Sequence, residues 1–501
     1  MNHLKVNLWG KEIGRLAWNP ATRRIHFLYN PDYEGVIPDI SPLVAPARTR
    51  NVFLPIYGDD RPPYQGLPPF IADSLPDSWG NTLFDKWVRE NKIPRSRVTP
   101  LYKLMFIGTR GMGALEYEPF AEDLNHTRAV DIKSLHDISR KILEARDNMV
   151  LDSGEALTLQ VLLAVGTSAG GRQMKAVLAM NPRTGEIRSG QSAAPEGFEY
   201  YILKFGDSSM PAAEIETAYY DMAMAAGIRM EECRPLPVEG INHFLTKRFD
   251  RRNGRKLHVQ TLAAMNPDAR SYEDLIVTAR ELALPESEIN QLFRRMVFNV
   301  MANNTDDHNK NFSFLLEENG SWHIAPAYDV TFIFNHNGTG PNLERRLSIG
   351  GKTAEITKAN LLDFAKLYGI RDAETVIDRV AEAIGNFSRY AANRDVTRPW
   401  RSIVQKTLNE SLTAFGYRER NEGTDITFSD KYGRTITAFS VSVNSKGHYE
   451  VAAVIDGNRH RRFVRPNMSL YPDLSAQDIC NLPADEQSLL VETLFPPLPE
   501  G

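Results

Sequence analysis

Asp306 and Asn311 stand five residues apart in the polar segment Asn303-Asn304-Thr305-Asp306-Asp307-His308-Asn309-Lys310-Asn311. An aspartate followed at that interval by an asparagine matches a phosphoryl-transfer loop. There the carboxylate positions the attacking hydroxyl and takes its proton, and the amide oxygen binds a metal. A second carboxylate, Asp329 in Ala325-Pro326-Ala327-Tyr328-Asp329-Val330, follows the strand-like run Phe312 to Leu316 and a turn at Asn319-Gly320. Kinases supply their other metal-binding aspartate in this order. Amide and carboxylate oxygens suit a hard cation such as Mg2+. The spacing alone is common by chance, and a polar loop with capping aspartates accounts for it equally well. Asp307 is one residue out of register and is assigned no catalytic role. His308 opens another possibility, a metal-dependent hydrolase built on Asp306-Asp307-His308. No second His/Asp/Glu cluster at ligand spacing accompanies it.

Phosphates also need amides and cations. Gly166-Thr167-Ser168-Ala169-Gly170-Gly171 lies between two apolar runs, and its glycines let backbone amides turn toward phosphate oxygens. It is neither a Walker A nor a G-x-G-x-x-G loop, and a plain hairpin turn is the competing reading. Lys204 ends the strand-like Tyr200-Tyr201-Ile202-Leu203, where a kinase keeps its phosphate-pairing lysine. Glu216, one helical segment later, is a candidate partner; a surface salt bridge is the alternative. Lys175 beside the glycine loop is a second cation that the sequence does not rank against Lys204.

These residues need rigid elements behind them. Residues 286–303 form the clearest helix, with Ile289, Leu292, Phe293, Met296, Val297, Val300 and Met301 at steps of three and four. It is a core helix that delivers the chain into the Asp306 segment. Leu157 to Met180 reads as an apolar run, a glycine-rich turn and a second apolar run, a hairpin-like pattern. Strands are expected at 200–205 and 241–249, and helices at 73–91, 211–227, 357–368 and 373–390. Residues 1 to about 60 alternate as β structure, and Pro and Gly from Pro55 to Pro69 make a connecting loop. From about 420 short alternating runs around Ile426, Phe428, Ile436 and Ala438 form a small β meander, followed by a Pro-rich tail at Pro496-Pro497-Leu498-Pro499.

The chain has 501 residues and a net charge of −4, with ordinary apolar and charged fractions. That balance argues against nucleic-acid binding by the chain alone, although Lys247, Arg248, Arg251, Arg252, Arg255 and Lys256 make a local basic run. Two distant cysteines, Cys233 and Cys480, exclude a disulfide scaffold and a zinc ribbon and fit a reducing compartment. No signal-peptide h-region and no apolar run of membrane-spanning length is present, so a cytoplasmic location is expected.

With these residues in hand, the chain resembles the HipA family of bacterial serine/threonine kinase toxins over roughly residues 1–400. The likeness rests on Gly10 to Leu16 (G-x-x-I-G-x-L), Leu75-Pro76-Asp77-Ser78, the loop Ser168 to Lys175, Lys204 and Glu216. It extends through Lys247-Arg248-Phe249-Asp250-Arg251, Thr305-Asp306-x-His308-x-Lys310-Asn311-Phe312-Ser313 and Tyr328-Asp329-Val330.

The resemblance implies an α+β, two-lobed protein-kinase-like fold binding ATP and Mg2+. Residues 1–120 would be a small N-terminal β subdomain plus helix, 121–246 the N-lobe with its glycine loop, 247–415 the helical C-lobe, and 416–501 an appended β-rich module outside the family pattern. It implies Asp306 as catalytic base and Asn311 and Asp329 as magnesium ligands. Lys204 would hold the α/β phosphates, supported by Lys175 and by Ser168, Ala169, Gly170 and Gly171 of the loop. Lys247 and Phe249 would border the adenine, and Ser168 would be the autophosphorylated position. It further implies a small helix-turn-helix antitoxin of the HipB kind that carries the DNA contacts. The protein target would be of the aminoacyl-tRNA synthetase class. A catalytically weak nucleotide-binding partner of a repressor complex is the alternative. The retention of Asp306, Asn311, Asp329 and Lys204 speaks against it.

Overall fold

Leu4, Val6 and Leu8 alternate with outward residues, giving β1 (His3–Leu8) one buried face. Trp9 and Gly10, both at positive φ, turn the chain into β2 (Lys11–Asn19). With β3 (Arg24–Tyr29) and β4 (Leu115–Glu118) these form an antiparallel sheet of order β3-β2-β1-β4. The computed structural model describes residues 3–22, 24–33, 38–47, 64–124, 129–145, 153–166, 173–190, 194–252, 254–335, 338, 340–417, 428–443, 448–464, 479, 482 and 484–496. They fall in two compact units, Met1–Val380 and Ala381–Gly501.

In the first unit, α1 (Pro69–Ala72), α2 (Ser78–Glu90) and α3 (Pro100–Ile107) follow the N-terminal strands. Asp77 caps α2, its side chain accepting from the Gly80 amide at 2.6 Å. Next come α4 (Ile132–Ala145) and α5 (Ser153–Val165). Part of the hairpin-like pattern is therefore corrected: the run before Gly166 is helical, and only the run after the glycine loop is a strand. A short apolar run does not separate a strand from a buried helix. Here Leu159, Leu162, Leu163 and Val165 pack against Trp79, Leu83 and Phe84 of α2 in one core.

A five-stranded sheet of order β6-β5-β7-β9-β8 comes next in the architecture. Its strands are β5 (Lys175–Met180), β6 (Ile187–Ser189), β7 (Glu199–Lys204), β8 (Cys233–Val238) and β9 (Ile241–Lys247). Helix α6 (Ala212–Ala225) lies against β8 and β9. A short ribbon, β10 (Arg251–Arg252) and β11 (Arg255–Lys256), leads into β12 (His258–Thr261). Helices α7 (Leu262–Met265), α8 (Tyr272–Glu281) and α9 (Glu286–Met301) follow, then β13 (Ser313–Leu316) and β14 (Trp322–Ile324), which pair with β12. Of the apolar stripe of α9, Ile289, Leu292, Phe293, Met296, Val297 and Met301 are buried and Val300 is half-buried. After α10 (Lys358–Leu367), the division between the units falls within α11 (Ala373–Gly385).

The second unit contains α12 (Phe387–Asn393), α13 (Arg398–Ala414) and a meander of β15 (Phe428–Ser429), β16 (Thr435–Val443), β17 (Tyr449–Ile455) and β18 (Asn458–Val464). The meander expected around Phe428, Ile436 and Ala438 is present, and Ile426 lies outside the described residues. A helix the sequence reading left out, α14 (Ala484–Leu494), contributes Leu490 and Val491 to the core with Val451 and Ile455.

Two buried imidazoles in the first unit set a pH limit. His243 Nδ1 accepts from the Gly206 amide at 2.9 Å, and its ring sits edge-on to Phe205 and His136. That bond requires the neutral ring. Burial, then the neighbouring His136, push its pKa down to about 4, and burial pushes His258 down to about 3. Unfolded histidine titrates near ~6.5. Between that value and about 4 the unfolded chain therefore binds protons that the folded chain refuses. Stability is full above about pH 6.5 and falls as the pH drops through this window. Melting temperatures recorded from pH 7.5 to 4.5 will show the decline; a flat profile would contradict it.

Candidate active site

β5 and β7 are antiparallel, and their register puts Lys175 directly opposite Lys204. Residues paired in this way carry their Cβ atoms about 5 Å apart on one face of the sheet. Two buried ammonium groups at that spacing require carboxylates. Lys204 Nζ donates to Glu216 Oε1 of α6 at 2.6 Å and to Asp329 Oδ1. Lys175 Nζ lies 3.2 Å from Asp77 Oδ2. The chain thus draws α2, two adjacent strands, α6 and the 325–330 segment to one point.

The electrostatics follow from burial. Desolvation disfavours the Lys204 cation, but Asp329 and Glu216 outweigh it and raise its pKa. Desolvation raises the Glu216 pKa against the pull of Lys204. Asp329 is also desolvated, yet Lys204 and Lys175 hold its carboxyl below the usual range. Lys175 is lowered, chiefly by burial, with Asp77 and Asp329 acting the other way. Asp329 sits at φ +51°, a left-handed conformation uncommon outside glycine. Such strain concentrates at functional sites because the surroundings must enforce it.

The second half of the site leaves α9. Asn303, at φ +53°, turns the chain out of the helix. Asn311 Nδ2 donates to the Asp306 carbonyl at 2.8 Å, so the two predicted residues are joined across a tight loop. With its nitrogen engaged there, the amide offers its oxygen as a cation ligand. The Asp306 side chain is 47% exposed and, among the described residues, makes only long ionic approaches, 3.5 Å to Arg346 Nε and 4.0 Å to His308 Nε2. Its neighbour Asp307 faces the core. There its carboxylate accepts from Tyr272 Oη at 2.7 Å, Arg345 Nη1 at 3.0 Å and the Arg346 amide at 2.8 Å. Asp307 thereby fixes the loop that carries Asp306. Among the described residues no group of three or more His, Cys, Asp or Glu side chains forms a metal cluster. Asn311 and Asp329 carry an amide and a carboxylate oxygen, donor types that suit a hard cation.

The Phe249 ring packs 5.6 Å from the Tyr328 ring, next to Asp329. Asp250 is fully buried and bound by both Arg248 and Arg251, at 2.8 and 2.6 Å, and by the Gly113 amide at 2.8 Å. Part of the basic run read from the sequence is therefore internal. Lys247 Nζ is engaged by Glu199 Oε1 at 2.6 Å. Ser168, Ala169, Gly170 and Gly171 lie outside the described residues. The sequence reading missed Asp77 as a partner of Lys175 and Asp307 as the anchor of the loop. The Leu75-Pro76-Asp77-Ser78 segment carried the first signal, since an aspartate before a helix has a second oxygen to spare.

Known proteins align along the same span. The family described as HipA N-terminal domain matches residues 4–118, and HipA-like C-terminal domain matches residues 167–387. "Putative kinase Y4dM" of Sinorhizobium fredii is 22% identical over 444 residues, covering 83% of this chain and 98% of that protein. "Putative kinase Y4mE" of the same organism is 25% identical over 207 residues, covering 37% of this chain. The chain spans about half the length of that relative (49%). Among solved structures, HipA in the Shewanella oneidensis MR-1 toxin–antitoxin complex of HipA, HipB and operator DNA superposes with a TM-score of 0.60 at 15% identity. That match covers 83% of this chain and 98% of the other, a likeness of fold. With both domains matched in order and the α+β, kinase-like architecture shared, the chain belongs to the HipA family.

Proposed function

We propose that this chain is an ATP- and magnesium-dependent protein serine/threonine kinase acting as the toxin of a toxin–antitoxin pair. The observation that carries the reading is the linkage of Lys204 to both Glu216 and Asp329, together with a loop in which Asn311 holds the Asp306 carbonyl. A kinase needs these parts in this relation. Asn311 and Asp329 would hold Mg2+, which when bound neutralises charge on the β and γ phosphates. Lys204 pairs with the phosphates while Glu216 keeps its ammonium in place. Asp306 orients a target hydroxyl and accepts its proton. The hydroxyl oxygen bonds to the γ-phosphorus, the bond to the β-phosphate oxygen breaks, and ADP leaves. Phe249, on Tyr328, borders the adenine, with Lys247 beside it.

The partners proposed are a HipB-like helix-turn-helix antitoxin, which would carry the DNA contacts, and a protein target of the aminoacyl-tRNA synthetase class. Support for the first is the HipA–HipB–operator complex formed by the structural relative. Ser168 is the proposed autophosphorylation position. After incubation with Mg-ATP, peptide mass mapping is expected to locate a phosphoryl group on Ser168, and Ser168→Ala to lose it. A phosphoryl group mapped elsewhere would overturn that assignment. The overall reading is tested by expressing the chain alone in bacterial cells: the wild-type chain is expected to arrest growth, and Asp306→Ala to relieve the arrest. Arrest that persists unchanged in Asp306→Ala would exclude kinase activity as its cause.

A further inference from the structure

The segment Asp73 to Asp77 touches both halves of the site through a carboxylate at each end. Asp73 Oδ2 accepts from the Thr261 amide at 2.7 Å and Oδ1 from Thr261 Oγ1 at 2.8 Å. The residues after Thr261 back the catalytic loop: the Leu262 amide donates to the Phe312 carbonyl at 2.7 Å and the Ala263 amide to the Asn309 carbonyl at 3.1 Å. At the other end, Asp77 divides its oxygens. Oδ1 caps α2 at the Gly80 amide, and Oδ2 faces Lys175 at 3.2 Å, with side-chain exposures of 12% and 3%. The stretch between is tied down by the Tyr117 hydroxyl on Ser74 Oγ (2.7 Å) and by Asn81 Nδ2 on the Pro76 carbonyl (2.8 Å).

The geometry points to Asp77 as a positioning residue for nucleotide binding, held by a strap of the N-terminal subdomain that spans from the catalytic loop to the phosphate-side lysine. Lys175 is buried opposite Lys204, so its ammonium needs a fixed counter-charge before any nucleotide arrives. Asp329 is already engaged by Lys204, and Asp77 supplies that counter-charge from an oxygen locked by its helix cap. The N-terminal subdomain is thereby part of the ATP site. This rests on the proposed role of Lys175 as a phosphate ligand.

The test is a double-mutant cycle read by titration calorimetry of the full chain with Mg-ATP. Asp77→Asn retains a good N-cap and removes the charge, so a purely structural cap is left nearly intact. Asp77→Ser serves as a second cap-preserving variant should the first fold poorly. The expected result is an affinity loss of about tenfold for Asp77→Asn, with a lowered melting temperature but a cooperative unfolding transition that shows the fold is kept. Lys175→Ala is expected to lose at least as much. The double variant should match Lys175→Ala within about twofold, because Asp77 acts through that lysine. Unchanged or tighter binding by Asp77→Asn, or additive losses in the double variant, would overturn the proposal. Because the readout is binding, a wild-type chain that binds Mg-ATP without transferring phosphate leaves the test valid while removing the kinase reading. A wild-type chain that binds no Mg-ATP would remove both.

Discussion

Asp306→Ala lowers phosphoryl transfer by about 10²–10⁴-fold, the span ascribed to a positioned general base, and leaves Mg-ATP affinity within about twofold. The fold will tolerate the change. The Asp306 carboxylate is 47% exposed and its ionic neighbours stand 3.5 and 4.0 Å away, so no buried partner is stranded. The adjacent aspartate will behave in the opposite way. Asp307→Ala strands Arg345 and Tyr272 in the core and should cost stability, on the order of 3 kcal/mol, before any kinetic parameter is considered. Saturating-ATP rates together with melting temperatures for the two variants separate base from scaffold. An Asp306→Ala enzyme with wild-type turnover would remove Asp306 from the chemistry.

Lys204→Met is expected to abolish nucleotide binding and to destabilise the first unit by about 3–5 kcal/mol, the cost of leaving buried charge without its partner. Glu216 and Asp329 would then face each other across the lost ammonium, with side-chain exposures of 8% and 31%. Methionine preserves the packing over the Phe244 ring, where the ammonium sits 5.3 Å from the centroid, so the loss is electrostatic. A pH signature follows. Burial already raises the Glu216 pKa, and removing the cation that opposes this raises it further. A carboxyl whose folded pKa exceeds its unfolded value gains stability as the pH falls. The deficit of Lys204→Met relative to wild type should therefore shrink from pH 8 toward pH 5.5 in chemical denaturation. A deficit independent of pH would show that the ion triad is not its source.

Legibility in the sequence tracked the range of the interactions. The apolar spacing of α9 and the alternating runs of the C-terminal meander are local patterns, and the helix and the meander both formed. The run Leu157–Val165 misled because a short, mostly apolar stretch, broken only by Thr158 and Gln160, does not separate strand from helix; its helical state is set by packing on α2, which is far away in sequence. α14 was overlooked behind a Pro-rich tail, although Leu490 and Val491 close the core of its unit. In the candidate site, Asp306, Asn311, Asp329, Lys204 and Glu216 were legible as proposals because motif spacing records them. Asp77 and Asp307 were not, since their roles depend on where Lys175, Arg345 and Tyr272 arrive in three dimensions.

The central claim is that Asp306, Asn311, Asp329 and Lys204 form a phosphoryl-transfer site. The most direct measurement is incubation of the purified chain with Mg2+ and γ-phosphoryl-labelled ATP, alone and with a bacterial cell extract, beside Asp306→Ala. The expected result is label on serine or threonine, in the chain itself or in a protein of the extract, that disappears in the variant. Absence of any Asp306-dependent label in both conditions would contradict the account.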